Sequence, residues 1–369
     1  MTKTAANRAR PKGTVGVSAI DLFCGAGGLS QGLTEAGIKV VAGVDLDPAC
    51  AYPFETNIGA PFIQRDVREI TSAHLESLWV PGSIRLLAGC APCQPFSPYR
   101  RGADTSAEEQ WPLLREFARL VAEVEPDLVT MENVPRIGSS TVFHEFVTRL
   151  TELGYEVDWR SCYGPRFGLP QHRRRLVLIA SKLGQVSVPE GDLAEGAYRT
   201  VRDTIGGLTP IASGTADPSD PLHAARNLSS TNLQRIRAST PGGTWHDWPV
   251  ELRSPCHQRS SGSSFTNVYA RMEWDKPAPT ITTLAHNFGA GRFGHPEQDR
   301  AISLREAAML QGFPRHYKLV RRGSTANLSQ LGRLIGNAVP PPIAAAVGRR
   351  IVEHVSKKRH RPHDAGEPT

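Results

Sequence analysis

The sequence predicts an α/β fold: a doubly wound, Rossmann-like, mostly parallel sheet with a second, smaller, loop-rich domain. Three observations carry that expectation. The apolar run Val17–Phe23 enters the glycine turn Cys24-Gly25-Ala26-Gly27-Gly28 and then a helical stretch over 29–36, the first unit of a nucleotide-binding sheet. Short apolar runs recur between helical stretches at 38–44, 62–65, 84–88, 126–131, 155–162 and 176–180. From Gly184 the composition turns to Gly, Pro, Ser and Thr, and the strand signal fades.

Whole-chain properties narrow the class. A chain of 369 residues can bury one large core and a smaller one. A formal charge of +7, with arginine clusters such as 173–175 and 349–350, suits a polyanionic partner such as nucleic acid, although clustered arginines also serve as a solvated face. Residues 1–13 are polar and basic, unlike a signal peptide or a membrane anchor. No apolar run approaches the roughly 20 residues that span a bilayer. Six scattered cysteines fit a reducing interior, so a soluble, cytoplasmic protein is expected.

The first three strands end in groups suited to a nucleoside. Phe23, Gly25, Ala26 and Gly28 form the turn after the first strand, where glycine lets backbone N–H groups approach a ligand. Asp45, followed by Leu46, ends the second strand and suits a pair of ribose hydroxyls. Asp66, followed by Val67, ends the third and suits an adenine amino group. The dinucleotide fingerprint fails because the spacing from Gly25 and Gly27 reaches Ser30 rather than a third glycine. The pattern therefore describes an adenosine site without a pyrophosphate, which S-adenosylmethionine fits.

Cys93 follows the apolar run 84–88 within Gly89-Cys90-Ala91-Pro92-Cys93-Gln94-Pro95-Phe96-Ser97. A thiol at the carboxyl end of a strand in an open sheet lies at its crevice. The Cys90-x-x-Cys93 spacing also suits a redox pair or half a zinc site, but Cys24, Cys50, Cys162 and Cys256 stand singly and supply no second pair. Cys93 is thus a nucleophile candidate, with no metal expected. Glu132 ends the next strand, where apolar surroundings would favour a protonated carboxyl. In Gln171-His172-Arg173-Arg174-Arg175, strand alternation puts Arg173 and Arg175 on one face, able to hold a phosphate, a base oxygen or a carboxylate.

These motifs together resemble the C5-cytosine DNA methyltransferases along most of the chain. They occur in that family's order: Asp21–Gly28, Pro92-Cys93-Gln94, Glu132-Asn133-Val134, Gln171-x-Arg173-x-Arg175, Arg305–Pro314 and Gly336–Pro341. The resemblance implies a methyltransferase sheet that binds S-adenosylmethionine and releases S-adenosylhomocysteine. It makes Cys93 the nucleophile, with Glu132, Arg173 and Arg175 as catalytic partners, and adds Pro92, Asn337 and Val339 to the cofactor residues. It implies double-stranded DNA as partner, contacted through Gln94, Ser97, Arg100, Arg101 and Arg271, with the loop 97–106 closing over a flipped cytosine.

Further expectations follow from the same resemblance. A catalytic domain over 17–184 is interrupted by a target-recognition domain over 185–300 and resumes over 301–355, between disordered tails 1–16 and 356–369. The protein is expected to act as a monomer, in a bacterial restriction-modification or solitary setting, with any restriction endonuclease acting separately. A transfer-RNA methyltransferase of the same fold is the alternative. Cys90 is expected to be a packing residue.

Overall fold

The computed structural model describes residues 16–92, 112–260, 262–321, 323–324 and 327–359. Seven strands form one sheet: β1 (Val17–Leu22), β2 (Lys39–Asp45), β3 (Phe62–Gln64), β4 (Ile84–Gly89), β5 (Leu128–Asn133), β6 (Glu156–Tyr163) and β7 (Arg174–Ser181). Their order is β3-β2-β1-β4-β5-β7-β6. The first five run parallel, and β7 lies antiparallel between β5 and β6. The winding reverses between β1 and β4, which opens a crevice beyond the carboxyl ends of those two strands.

Strand alternation divides the core between two faces. Ile20, Leu22, Leu87, Val129, Met131 and Leu178 pack under α4 (Pro112–Val124) and α5 (Thr141–Glu152) through Phe117, Phe143 and Phe146. Ala19, Leu86, Ala88, Leu128, Val177 and Ile179 pack under α1 (Gly28–Glu35) and α10 (Pro341–Arg359) through Leu33, Ile343 and Val347. Both faces of the central strands are covered, which explains their near-continuous apolar runs. Two short helices, α2 (Ala51–Ile58) and α3 (Ser72–Leu78), lie in the connections around β3.

The insert carries α6 (Val201–Ile205), the short pair β8 (Ala216–Asp217) and β9 (Asp220–Ala224), and α7 (Ser230–Arg237). It does not end cleanly at 300. Met272, Ala278 and Ile281 share a core with α8 (Leu304–Leu310) and α9 (Leu328–Asn337), reaching Ala26 of the glycine turn. α8 and α9 therefore bridge the insert and the first domain, since Tyr317 also donates to Ala26 O and Arg333 to Asp47, while α10 packs on the sheet itself. That helix runs through Arg359, four residues past the boundary expected at 355. A separate small core gathers Ile236, Trp245, Trp248, Val268 and Phe288. Among the described residues no helix is long and apolar enough to cross a membrane.

Asp21 is a buried carboxyl in the middle of this frame. It is fully buried in β1, Ser30 Oγ donates to its Oδ2 at 2.6 Å, and Oδ1 has no partner. Burial, opposed by the Ser30 hydrogen bond and reinforced by the charge of Asp45, pushes its carboxyl up to about 7. The unpaired oxygen is the natural seat of that proton. Because the folded value lies above the unfolded one of about 3.9, the native state keeps a proton that the unfolded chain has released. The resulting stability is complete below about pH 4 and is lost as pH rises through about 7. Thermal melts should therefore show Asp21→Asn losing less stability than the parent between pH 5 and pH 8; parallel losses would refute the assignment.

Candidate active site

The centre of the crevice is Glu132, at the end of β5 and only 4% exposed. Arg175 Nε stands 2.8 Å from its Oε1, and Cys90 Sγ donates to its Oε2 at 3.1 Å. The surroundings are thus not the apolar ones expected: a guanidinium from β7 pairs in charge with Oε1 without the alignment of a hydrogen bond, and a thiol from the end of β4 donates to Oε2. Cys90 is only partly buried, and its thiol faces the carboxylate, so it is more than a packing residue. Buried Asn133 fixes the neighbouring chain, since its Nδ2 donates to Ala91 O at 3.0 Å. The segment ending at Pro92 is thereby pinned beside Glu132. Cys93, Gln94, Ser97, Arg100, Arg101 and the rest of the loop 97–106 lie outside the described residues.

The three arginines separate as alternation requires. Arg175 turns to Glu132, whereas exposed Arg174 lies over the Tyr163 ring, 4.5 Å from its centroid. Arg173 is 3% exposed and reaches Ile281 O at 3.0 Å and Gly336 O at 2.9 Å. It holds protein rather than a phosphate. Gln171, which the motif contains but sequence reasoning gave no role, accepts from Ile281 N and donates to Leu310 O and Gln311 Oε1. Gln311 in turn donates to Ala338 O at 2.7 Å. Glutamines rarely bury without such a purpose, and that is the signal the sequence offered.

The glycine turn lies at the end of the adjacent β1. Phe23 has φ 58°, an uncommon conformation for an aromatic residue, and Gly25 has φ 53°. Gly25 N donates to Asp45 Oδ2 at 2.9 Å, and Asp47 N donates to Oδ1 at 3.0 Å. Burial lifts the Asp45 carboxyl above its ordinary range against these hydrogen bonds. Asp66 is pinned by Arg68, which hydrogen-bonds both of its oxygens; this pairing holds its carboxyl below the usual range. Val67 is buried, while Asn337 and Pro92 are exposed.

One side of this turn is open. Among the described residues nothing lies within 4 Å of where a Gly25 Cβ would project. Leu46 stands beside it at the tip of β2, 62% exposed. The opposite side of the turn is closed. A Gly28 Cβ would come within 2.2 Å of Val339 O, and Tyr317 Oη donates to Ala26 O at 2.6 Å. The turn is thus backed by protein and open on one side.

The expected DNA contact at Arg271 is corrected. Arg271 is 5% exposed; its guanidinium donates to carbonyls of Ile236, Ser239, His295 and Gln298 and pairs with Asp299 at 2.5 Å. Four of its five N–H groups are thus spent on protein acceptors, and burial keeps the guanidinium away from a phosphate. Arg235 and Arg253 are also spent on the insert's own carbonyls, and Trp245 and Trp248 are buried. A loop-rich segment needs such internal donors because it has few ladder hydrogen bonds.

Comparison with known proteins agrees with this geometry. Residues 17–353 match the model of the C-5 cytosine-specific DNA methylase family. The chain is 47% identical over 341 residues to the Type II methylase M.HgiDII of Herpetosiphon aurantiacus, covering 92% of this chain and 94% of that protein. It is 31% identical to the Type II methyltransferase M1.HphI of Haemophilus parahaemolyticus, covering 90% and 86%. A putative DNA modification methyltransferase structure from an E. coli prophage superposes with a TM-score of 0.70 at 21% identity, covering 92% and 99%. S. pombe Dnmt2 superposes with a TM-score of 0.63 at 17% identity, covering 93% and 99%; both likenesses concern the fold. The chain belongs to the C-5 cytosine-specific DNA methylase family and is a DNA cytosine-5-methyltransferase.

Proposed function

We propose that the protein methylates carbon 5 of a flipped-out cytosine within a specific double-stranded DNA sequence, through a covalent adduct of Cys93 and with S-adenosylmethionine as donor. The observation that carries this reading is the convergence on one crevice of three features. These are Glu132 flanked by Arg175 and Cys90, the chain leading to Cys93 pinned by Asn133, and a glycine turn open on one side.

Carbon 5 of cytosine is a weak nucleophile, so the ring must first be activated. The Cys93 thiolate adds to carbon 6, and the displaced electron pair moves towards N3. Glu132 supplies or shares the proton there. Arg175 keeps the carboxylate in place and can turn a guanidinium N–H to the base O2. Carbon 5 is then the electron-rich, enamine-like atom. Loss of its proton after transfer, and departure of the Cys93 sulfur, restore the aromatic ring.

Phe23, Gly25, Ala26 and Gly28 would cradle the methionine part of the donor, with Asp45 on the ribose, and Leu46, Asp66 and Val67 about the adenine. Pro92, Asn337 and Val339 would border it. When bound, the donor supplies an electrophilic methyl group. Gln94, Ser97, Arg100 and Arg101 are proposed to contact the DNA strand around the extruded base. The likeness to Type II methylases supports pairing with a separate restriction endonuclease that cuts the same sequence.

Two tests follow. Expression in a host lacking cytosine methylation should leave 5-methylcytosine at one recurring DNA sequence; unmodified DNA beside methylated transfer RNA would overturn the substrate assignment. DNA carrying 5-fluorocytosine at that sequence should form a denaturation-resistant adduct with the parent and none with Cys93→Ala. Glu132→Gln should slow adduct formation by about a hundredfold, the scale of general acid catalysis. An adduct that survives Cys93→Ala would remove Cys93 from the chemistry.

A further inference from the structure

Cys90 lies on the edge of the crevice, where β4 gives way to the loop. Its backbone N donates to Leu22 O at 3.3 Å, which ties it to the end of β1, and its thiol reaches Glu132 Oε2 at 3.1 Å. The other carboxylate oxygen meets Arg175 at 2.8 Å. Glu132 is therefore gripped from both strands that flank β5. The terminal torsion of a glutamate is broad, so one holder alone leaves the carboxylate plane free to swing. The two holders differ in kind: the guanidinium acts on Oε1 through its charge without an aligned hydrogen bond, whereas the thiol is a weak directional donor that yields its acceptor at low cost.

We infer that Cys90 is a positioning residue for Glu132: its thiol fixes the carboxylate plane before the base arrives and then releases Oε2 to face the pyrimidine. This rests on the proposed role of Glu132 at the base. It gives the second cysteine of the Cys90-x-x-Cys93 pair a part in catalysis that is neither redox chemistry nor metal binding.

The test compares substitutions at Cys90 by steady-state methyl transfer on the cognate DNA over a range of pH. Cys90→Ala should lower kcat about tenfold, the loss expected for one modest hydrogen bond, and shift the acidic limb of the pH profile. KM for DNA should be unchanged. Cys90→Ser, which keeps a donor, should recover kcat to within about threefold, since a hydroxyl of similar reach replaces the thiol. If Cys90→Ala fails to fold, Cys90→Val fills the space without a donor and should show the same kcat loss. Parental kcat and pH profile in either apolar variant would overturn the inference, as would a Cys90→Ser enzyme no better than Cys90→Ala. A parent inactive on every DNA would instead sink the functional reading, so the two failures are distinguishable.

Discussion

The architecture depends on one buried guanidinium. Arg173 stands at the start of β7 and donates to Ile281 O and Gly336 O, which belong to segments more than a hundred residues further along the chain. A charge taken out of water must have its hydrogen bonds met, and removing one partner leaves a penalty of several kcal/mol. Neither carbonyl can leave without exposing that penalty. The insert is thereby clamped to the sheet at 278–281, and the turn after α9 is fixed where Val339 backs Gly28. The buried amide chain Gln171–Gln311–Ala338 repeats the constraint beside it. Neither residue requires a reacting base to explain its burial.

With the frame locked, the chemistry is delegated to few atoms. Glu132 and Arg175 come from neighbouring antiparallel strands, so their geometry is set by strand register rather than by a loop. Cys90 and Asn133 then join β4 to β5 just beyond their last paired residues. Functional side chains placed on rigid elements hold their geometry better than those on loops. On the proposed reading the nucleophile comes from the segment after β4, and the sheet supplies the groups that act with it. The buried thiols Cys24, Cys50 and Cys162 stand apart from this chemistry, since burial raises each of them.

The sheet was legible because buried parallel strands read as apolar runs and the glycine turn names its own place. Each predicted strand agrees with an observed one to within about two residues, the usual scatter of boundaries. Helices α2 and α3 were missed because seven or eight residues give too little periodicity, and α2 contains Pro53. α9 was missed although Leu328, Leu331, Leu334 and Ile335 mark a stripe, because its partners come from the insert. The motif residues were legible as types but not as partners. Arg271 and Arg173 read as anion contacts, since nothing local tells a solvent-facing arginine from one buried among carbonyls. Cys90 read as packing because its acceptor lies 42 positions away. Long-range pairing was the missing information in each case.

The central claim is that this crevice places a methyl group on carbon 5 of cytosine and nowhere else. Mass spectrometry of nucleosides, after incubating purified protein with DNA and S-adenosylmethionine labelled on the methyl group, tests it directly. The geometry predicts label in 5-methyldeoxycytidine alone. Label in N4-methyldeoxycytidine or N6-methyldeoxyadenosine would contradict it, because exocyclic amine transfer has no use for a nucleophile adding to carbon 6.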